Sequence, residues 1–196
     1  MAEMHETIEL PLVHEVPLVT SPLVEDGPIT TNIGIPGLWL VGPDDKDRLL
    51  RLLDQAWRIE EIWDDDARKN RGQWFMNHYT NPFAMLFDVQ NGGGLVAFIR
   101  TLVGWRAQVY AAAWSRRAMG RDDLFMAACK LMMMTHDLLV IDSFVKVDNR
   151  RSQKATLRAG FRNRGIIRRA ACYNGEWKPM FWNELDRRDA GLDQGD

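Results

Sequence analysis

The chain has no run of eighteen apolar residues, so it carries no segment long enough to span a bilayer as a helix. It has only two cysteines, Cys129 and Cys172, and they have no metal-ligand spacing. Two reduced, buried thiols are expected rather than a zinc site or a disulfide framework. The N-terminus, MAEMHETIEL, is acidic and lacks the charged-then-apolar pattern of a secretion signal, which makes a cytoplasmic location the expectation. Net charge is also small, −2, which gives no overall pull toward a polyanion. The charge is nevertheless unevenly placed. Arg100 to Ala170 holds fifteen Lys/Arg against five Asp, whereas the first ninety-nine residues hold sixteen Asp/Glu against seven Lys/Arg. A basic second half suits an anionic ligand, such as a nucleotide cofactor, or a solvated face neutralised by the acidic half.

With 196 residues the chain suits one domain plus an extension. Residues 1–36 read as an extended arm, 37–185 as the folded domain and 186–196 as a polar, frayed tail. In the arm the triplet Pro-Leu-Val recurs at Pro11, Pro17 and Pro22. Proline at this density excludes helix and favours extended chain without ladder hydrogen bonds. The leucines and valines are too apolar for a solvated tail. The arm either packs across its own domain or docks on another subunit or an assembly partner.

From Gly37 onward the pattern becomes regular. Leu38–Val41 reads as a strand. Asp44 or Asp45 caps a helix whose apolar stripe is Leu49, Leu52, Leu53, Ala56, Ile59 and Trp63. A polar break over 64–72 precedes a short helical segment at 74–79, ended by Asn81-Pro82. Strands follow at 83–90, 95–102 and 105–114, the first two joined by the hairpin signal Asn91-Gly92-Gly93-Gly94. On the third strand Trp105, Ala107, Val109 and Ala111 share a face. A loop over 115–121 leads to a helix at 122–137, in which Met132-Met133-Met134 reads as adaptable core filling. The apolar run 138–147 reads as a central strand buried on both faces. Helix 150–159 and a hairpin over 164–185, turning at Asn174-Gly175, complete an α+β fold with one mixed sheet.

The segment NRRSQKATLRAGF, Asn149 to Phe161, is the most specific motif. Asn149 follows a strand and can cap the next helix. Gly160 stands where that helix needs a left-handed residue, and Phe161 can fold back on it. With the order of elements, this resembles the GCN5-related N-acetyltransferase (GNAT) family, over about residues 37–185. The flavour is closest to ribosomal-protein N-acetyltransferases. The resemblance implies a mixed, mostly antiparallel sheet flanked by helices, with acetyl-CoA lying between strands 105–114 and 138–147.

It also implies site residues. The pyrophosphate loop of the family matches Arg117-Ala118-Met119-Gly120-Arg121-Asp122, with Arg116 beside it. Asp122 replaces the usual small residue. A carboxylate there repels phosphate by on the order of 1 kcal/mol, or turns away to cap its helix. Ala112 and Ala113 lie where the strand would meet the cofactor, Asn149 where the pantetheine arm would be bonded, and Ser152 facing it. Thr156 stands where many members carry a proton-donating tyrosine, and threonine is too weak an acid to replace a phenol. The strand that often supplies a Glu base offers only Tyr110. His78, in the segment that shapes the acceptor site, is the other candidate for the catalytic proton. His136 ends a helix, where a charged imidazole suits the dipole. Asp142 is a possible base or a strand-end hydrogen-bond acceptor. No metal site is expected, and no nucleic-acid motif accompanies the basic cluster around Arg162–Arg169. Two functions follow as expectations: acyl-CoA-dependent transfer to a primary amine, or a catalytically inactive GNAT-like assembly protein whose arm binds partners, including further copies of itself.

Overall fold

The computed structural model describes residues 30–42, 44–59, 63–70, 72–73 and 83–193. Most of the arm, the segment 74–82 with His78, and the last three residues lie outside them. Eight strands form one sheet in the order β1-β2-β3-β4-β5-β6-β8-β7. In chain order these are β1 (Thr30–Asn32), β2 (Leu38–Val41), β3 (Met85–Val89), β4 (Gly94–Leu102), β5 (Arg106–Ala113), β6 (Val140–Lys146), β7 (Arg162–Tyr173) and β8 (Glu176–Asp186). The helices are α1 (Lys46–Trp57), α2 (Asp65–Lys69), α3 (Asp122–His136) and α4 (Arg150–Arg158). All neighbours are antiparallel except β5 and β6, which α3 connects as a parallel pair.

The two faces of the sheet bury separate cores. On one, Phe87, Phe98, Ala107, Val109 and Ile141 pack against Leu124, Ala128, Met132 and Met133 of α3. On the other, Leu86, Leu95 and Ala97 pack against Leu49, Leu52, Leu53 and Ala56 of α1. Alternation along β3, β4 and β5 sends consecutive residues to opposite cores.

Several expectations change. Residues 30–32, expected within the arm, form β1 and pair with β2. Asp45 caps α1, its Oδ1 accepting the Arg48 N–H at 3.2 Å, but the helix stops at Trp57. Trp63 completes the apolar stripe from outside the helix: it is buried, and its indole N–H donates to the Ala56 carbonyl at 2.8 Å. The polar break contains α2, begun by Asp64, whose Oδ1 accepts the Ala67 N–H at 2.8 Å. Met134 is exposed, unlike Met132 and Met133. The tail is not frayed through Asp193: Ala190 is buried and Leu192 packs on the main core. His136 is held below its ordinary value of 6.5 by burial, which favours the neutral ring over the charged one expected at a helix end. No helix among the described residues is long and apolar enough to cross a membrane.

Candidate active site

Strands β5 and β6 are paired over only three positions: Arg106 with Val140, Ala107 with Ile141, and Gln108 with Asp142. Beyond Gln108 they part. On its other side β5 stays paired with β4 as far as Ala113 opposite Gly94, and β6 stays paired with β8 along its whole length. The Trp105 carbonyl accepts from Leu139 and Val140, whereas the Trp114 N–H donates to Gly93. Alternation along the strand therefore turns the main-chain groups of Ala111 and Ala113 into the gap. Side-chain burial marks the same change. Ala107 and Val109 are 1% and 3% exposed, but Ala111 and Ala113, on the same face, are exposed.

The closed end is cross-linked by charge. Arg106 lies 3.3 Å from Asp142 and 3.7 Å from Glu184, and Arg164 donates to Glu184 at 3.0 and 2.7 Å. The Trp182 indole N–H donates to Asp142 at 2.7 Å. Asp142 thus takes the strand-end hydrogen-bond role.

At the open end, the loop after β5 makes a cradle. Ser115 organises it, its carbonyl accepting from Ala118 and Met119 and its hydroxyl from Ala118. Gly120 has a φ of +81°, a backbone state that side chains disfavour. The N–H groups of Gly120 and Asp122 have no acceptor among the described residues. Free N–H groups at the start of a fifteen-residue helix attract an anion. Each acidic residue of the first turn has its own cation. Arg158 donates to Asp122 at 2.6 Å, and Arg121 to Asp123 at 2.8 and 2.6 Å. Asp122 neither caps α3 nor stands unpaired: it joins α3 to α4.

Opposite the loop, Asn149 caps α4, its Oδ1 accepting the Ser152 N–H at 3.0 Å. This leaves the amide nitrogen for another partner. Gly160 has φ +90°, and a Cβ there would meet Met126 Cε at 2.9 Å. Phe161 is buried and stacks on Phe125 at 5.5 Å. Thr156 donates its hydroxyl to the Ser152 carbonyl at 2.9 Å. Next to it, Gln153 exchanges two hydrogen bonds with the buried Asn183, at 3.0 and 3.1 Å, locking α4 onto β8.

The cleft, of about 1290 Å³, passes through the gap from the α3–α4 side to the α2 side. Ala113, Gly120, Arg121, Asn149 and Ser152 line the first side; Arg116 and Arg117 are exposed and lie off its wall. Arg151 and Lys154 line it instead. Sequence reading passed over them, although Arg151, Ala155 and Arg158 fall at helical spacing on one face. Ala112 reaches the cleft from the opposite face and packs with the α1 core. Tyr110, also on that face, stacks on Trp63 at 6.3 Å and accepts the Gln108 amide N–H at 2.8 Å. Tyr173 faces this region with Lys146 Nζ 4.5 Å from its ring centre. Burial, then the charge of Asp64, raises the Tyr173 phenol well above its ordinary value and keeps it protonated. Trp63, Lys146 and Tyr173 come from three distant elements, and no single motif announced them.

A sheet with one parallel pair opening beside a helix N-terminus is the GNAT architecture, and solved structures agree. Spermidine N-acetyltransferase from Vibrio cholerae, in complex with CoA and spermine, is similar with a TM-score of 0.62 and 17% identity, over 79% of this chain and 98% of that one. Ribosomal-protein-S5-alanine acetyltransferase from Vibrio fischeri gives 0.59 and 13%, over 78% and 94%. The microcin C7 self-immunity acetyltransferase MccE, in complex with acetyl-CoA and AMP, gives 0.59 and 15%, over 78% and 93%. No family model matches the chain, and no curated protein matches it in sequence. The chain has the fold of the GNAT superfamily.

Proposed function

We propose that this protein is an acyl-CoA-dependent N-acyltransferase, most simply an acetyltransferase, acting on a primary amine. The observation that carries the reading is the gap itself: two central strands part, unpaired main chain lines the opening, and free N–H groups stand at its mouth. The residues present fit acetyl-CoA. Gly120 and Asp122 N–H would meet the pyrophosphate, with Arg151 and Lys154 nearby and Arg116 and Arg117 on the loop outside. Ala111, Ala113 and the Asn149 amide would meet the pantetheine arm. Ser152 lines the same wall, and Arg121 supports the loop through Asp123. When bound, the cofactor supplies an activated acyl group.

The α2 side is where an amine would approach. Trp63, Tyr110 and Tyr173 wall it with aromatic surface, and Asp64 adds a carboxylate. The neutral amine attacks the thioester carbonyl, and the C–S bond breaks as the C–N bond forms. One proton leaves the amine and one joins the departing sulfur. Main-chain N–H groups of β5 at the fork stabilise charge on the carbonyl oxygen. Tyr110 is the phenol nearest the fork on β5 and is assigned to proton transfer on this side, with Tyr173 facing it.

A second reading, an inactive assembly protein, is favoured by one observation: Thr156 spends its hydroxyl on its own helix, so the residue at the family's tyrosine position does not offer a proton to the thiolate. Calorimetry separates the two. Micromolar binding of acetyl-CoA, weakened about tenfold by Arg151→Glu, supports the enzyme. No heat at millimolar acetyl-CoA would leave only the assembly role.

A further inference from the structure

The end of the sheet opposite the cleft mouth carries a second surface, independent of the acyltransferase reading. Six large apolar side chains gather there, each 45–55% exposed: Phe83, Leu102, Val103, Trp105, Met134 and Leu139. They come from the start of β3, the β4–β5 turn, the end of α3 and the start of β6. Hydrogen bonds hold these segments together. Leu139 and Val140 N–H donate to the Trp105 carbonyl, Gly104 N–H to the His136 carbonyl, and the Thr101 hydroxyl to the Phe83 carbonyl. The Phe83 ring meets the His136 ring edge-on at 5.9 Å. An apolar patch of this kind on a folded chain marks a contact surface. Two buried side-chain nitrogens, Arg106 Nε and His136 Nε2, have no hydrogen-bond partner among the described residues and lie beside it.

We infer that this surface is covered by the chain's own N-terminal segment, residues 11–24, with its three Pro-Leu-Val triplets. The registers show where that segment sets out. Thr31 is level with Leu40, Phe87, Val96 and Ala111 in successive strands. Followed backward from Thr31, the chain runs toward the Arg106 end of the sheet, where the patch lies. The distance is about three strand spacings sideways and six residues down β4, from Val96 to Leu102, roughly 25 Å. The eight residue steps from Leu23 to Thr31 extend to about 26 Å. Pro22-Leu23-Val24 therefore reaches the patch, and the two earlier triplets cross it. Proline keeps such a segment extended and its carbonyls free for donors, while its leucines and valines meet the exposed apolar side chains.

The test uses the full chain with Val103 replaced by the photo-crosslinking residue benzoylphenylalanine, mixed with isotope-labelled chain and mapped by mass spectrometry. The expected product joins position 103 to residues 11–24 of the same chain. Products joining labelled to unlabelled chains would show a second copy as the occupant and overturn the inference, as would crosslinks elsewhere or none. A companion protein carrying Leu12→Asp, Leu18→Asp and Leu23→Asp, with its fold checked by circular dichroism, should lose the crosslink about tenfold. An unchanged yield would overturn apolar docking.

Discussion

The lower and upper halves of β5 belong to one strand, share one partner on the β4 side and differ only across the gap to β6. In the lower half Arg106 reaches over to Asp142 and Glu184, and three residue pairs close the ladder. In the upper half the side chains shrink to Ala111, Ala112 and Ala113, and no ladder pair joins them to β6 among the described residues. On the far side Gln153, Asn183 and Ser143 hold β6, β8 and α4 together, and so keep β6 from following β5. The difference teaches that a slot in a sheet is made by strong closure at one end and small side chains at the other. Strand composition alone does not make it.

Removing closure should have the largest effect. Arg106→Ala leaves Asp142 and Glu184 without their shared cation and should lower unfolding free energy by about 3 kcal/mol, read from urea midpoints. If the loss is only a few tenths, the closed end does not depend on this bridge. Filling the open end should separate binding from stability. Ala111→Trp should weaken acetyl-CoA binding at least about 100-fold, near 2.7 kcal/mol, while the urea midpoint changes little. Equal binding by this variant in calorimetry would mean that the gap is not the cofactor slot. A smaller effect belongs to the gap's far wall. Asn149→Ala loses the α4 cap and should cost about 1 kcal/mol of stability. It should also weaken acetyl-CoA binding, whereas a purely structural cap would alter stability alone.

The smallest effect concerns pH at the closed end. His136 is held below 6.5 in the folded chain, so near that pH the unfolded chain binds the proton more readily. Its contribution is therefore present above pH 6.5 and lost as pH falls from there through the folded value. His136→Gln should flatten the decline in stability on that acid side. An unchanged slope in thermal melts would assign the decline to other groups. Asp65 acts in a separate, more acidic window. The Asn174 and Gly175 N–H groups hold that carboxyl below its ordinary value, so its contribution is present above the unfolded value and lost as pH falls through the lower folded one.

Element order was legible because local rules fixed it. Alternation gave β3, β4 and β5, the Asn-Gly signals gave the β3–β4 and β7–β8 turns, and Asn149 with Gly160 bounded α4 to within a residue. The Asn149 cap could be read because it spans three residues. Asp122 could not be settled the same way: its partner, Arg158, is thirty-six residues away on another helix. Arg116 and Arg117 looked suited to the loop by adjacency, but the turn around Ser115 leaves them exposed while Arg151 and Lys154 take the wall. Trp63 was placed on the correct apolar stripe yet in the wrong element, since burial and one indole hydrogen bond hold it after the helix has ended.

By itself the sequence determined the order of the main strands, helices and turns from Leu38 onward, and which of their faces are apolar, since these rest on spacing within a few positions. Only the tertiary structure decided that β5 and β6 part after three pairs, that aromatic groups from three distant elements wall the far side, and that an apolar surface lies at the opposite pole. Those features depend on which distant side chains meet, and a meeting across the sheet has no period along the chain.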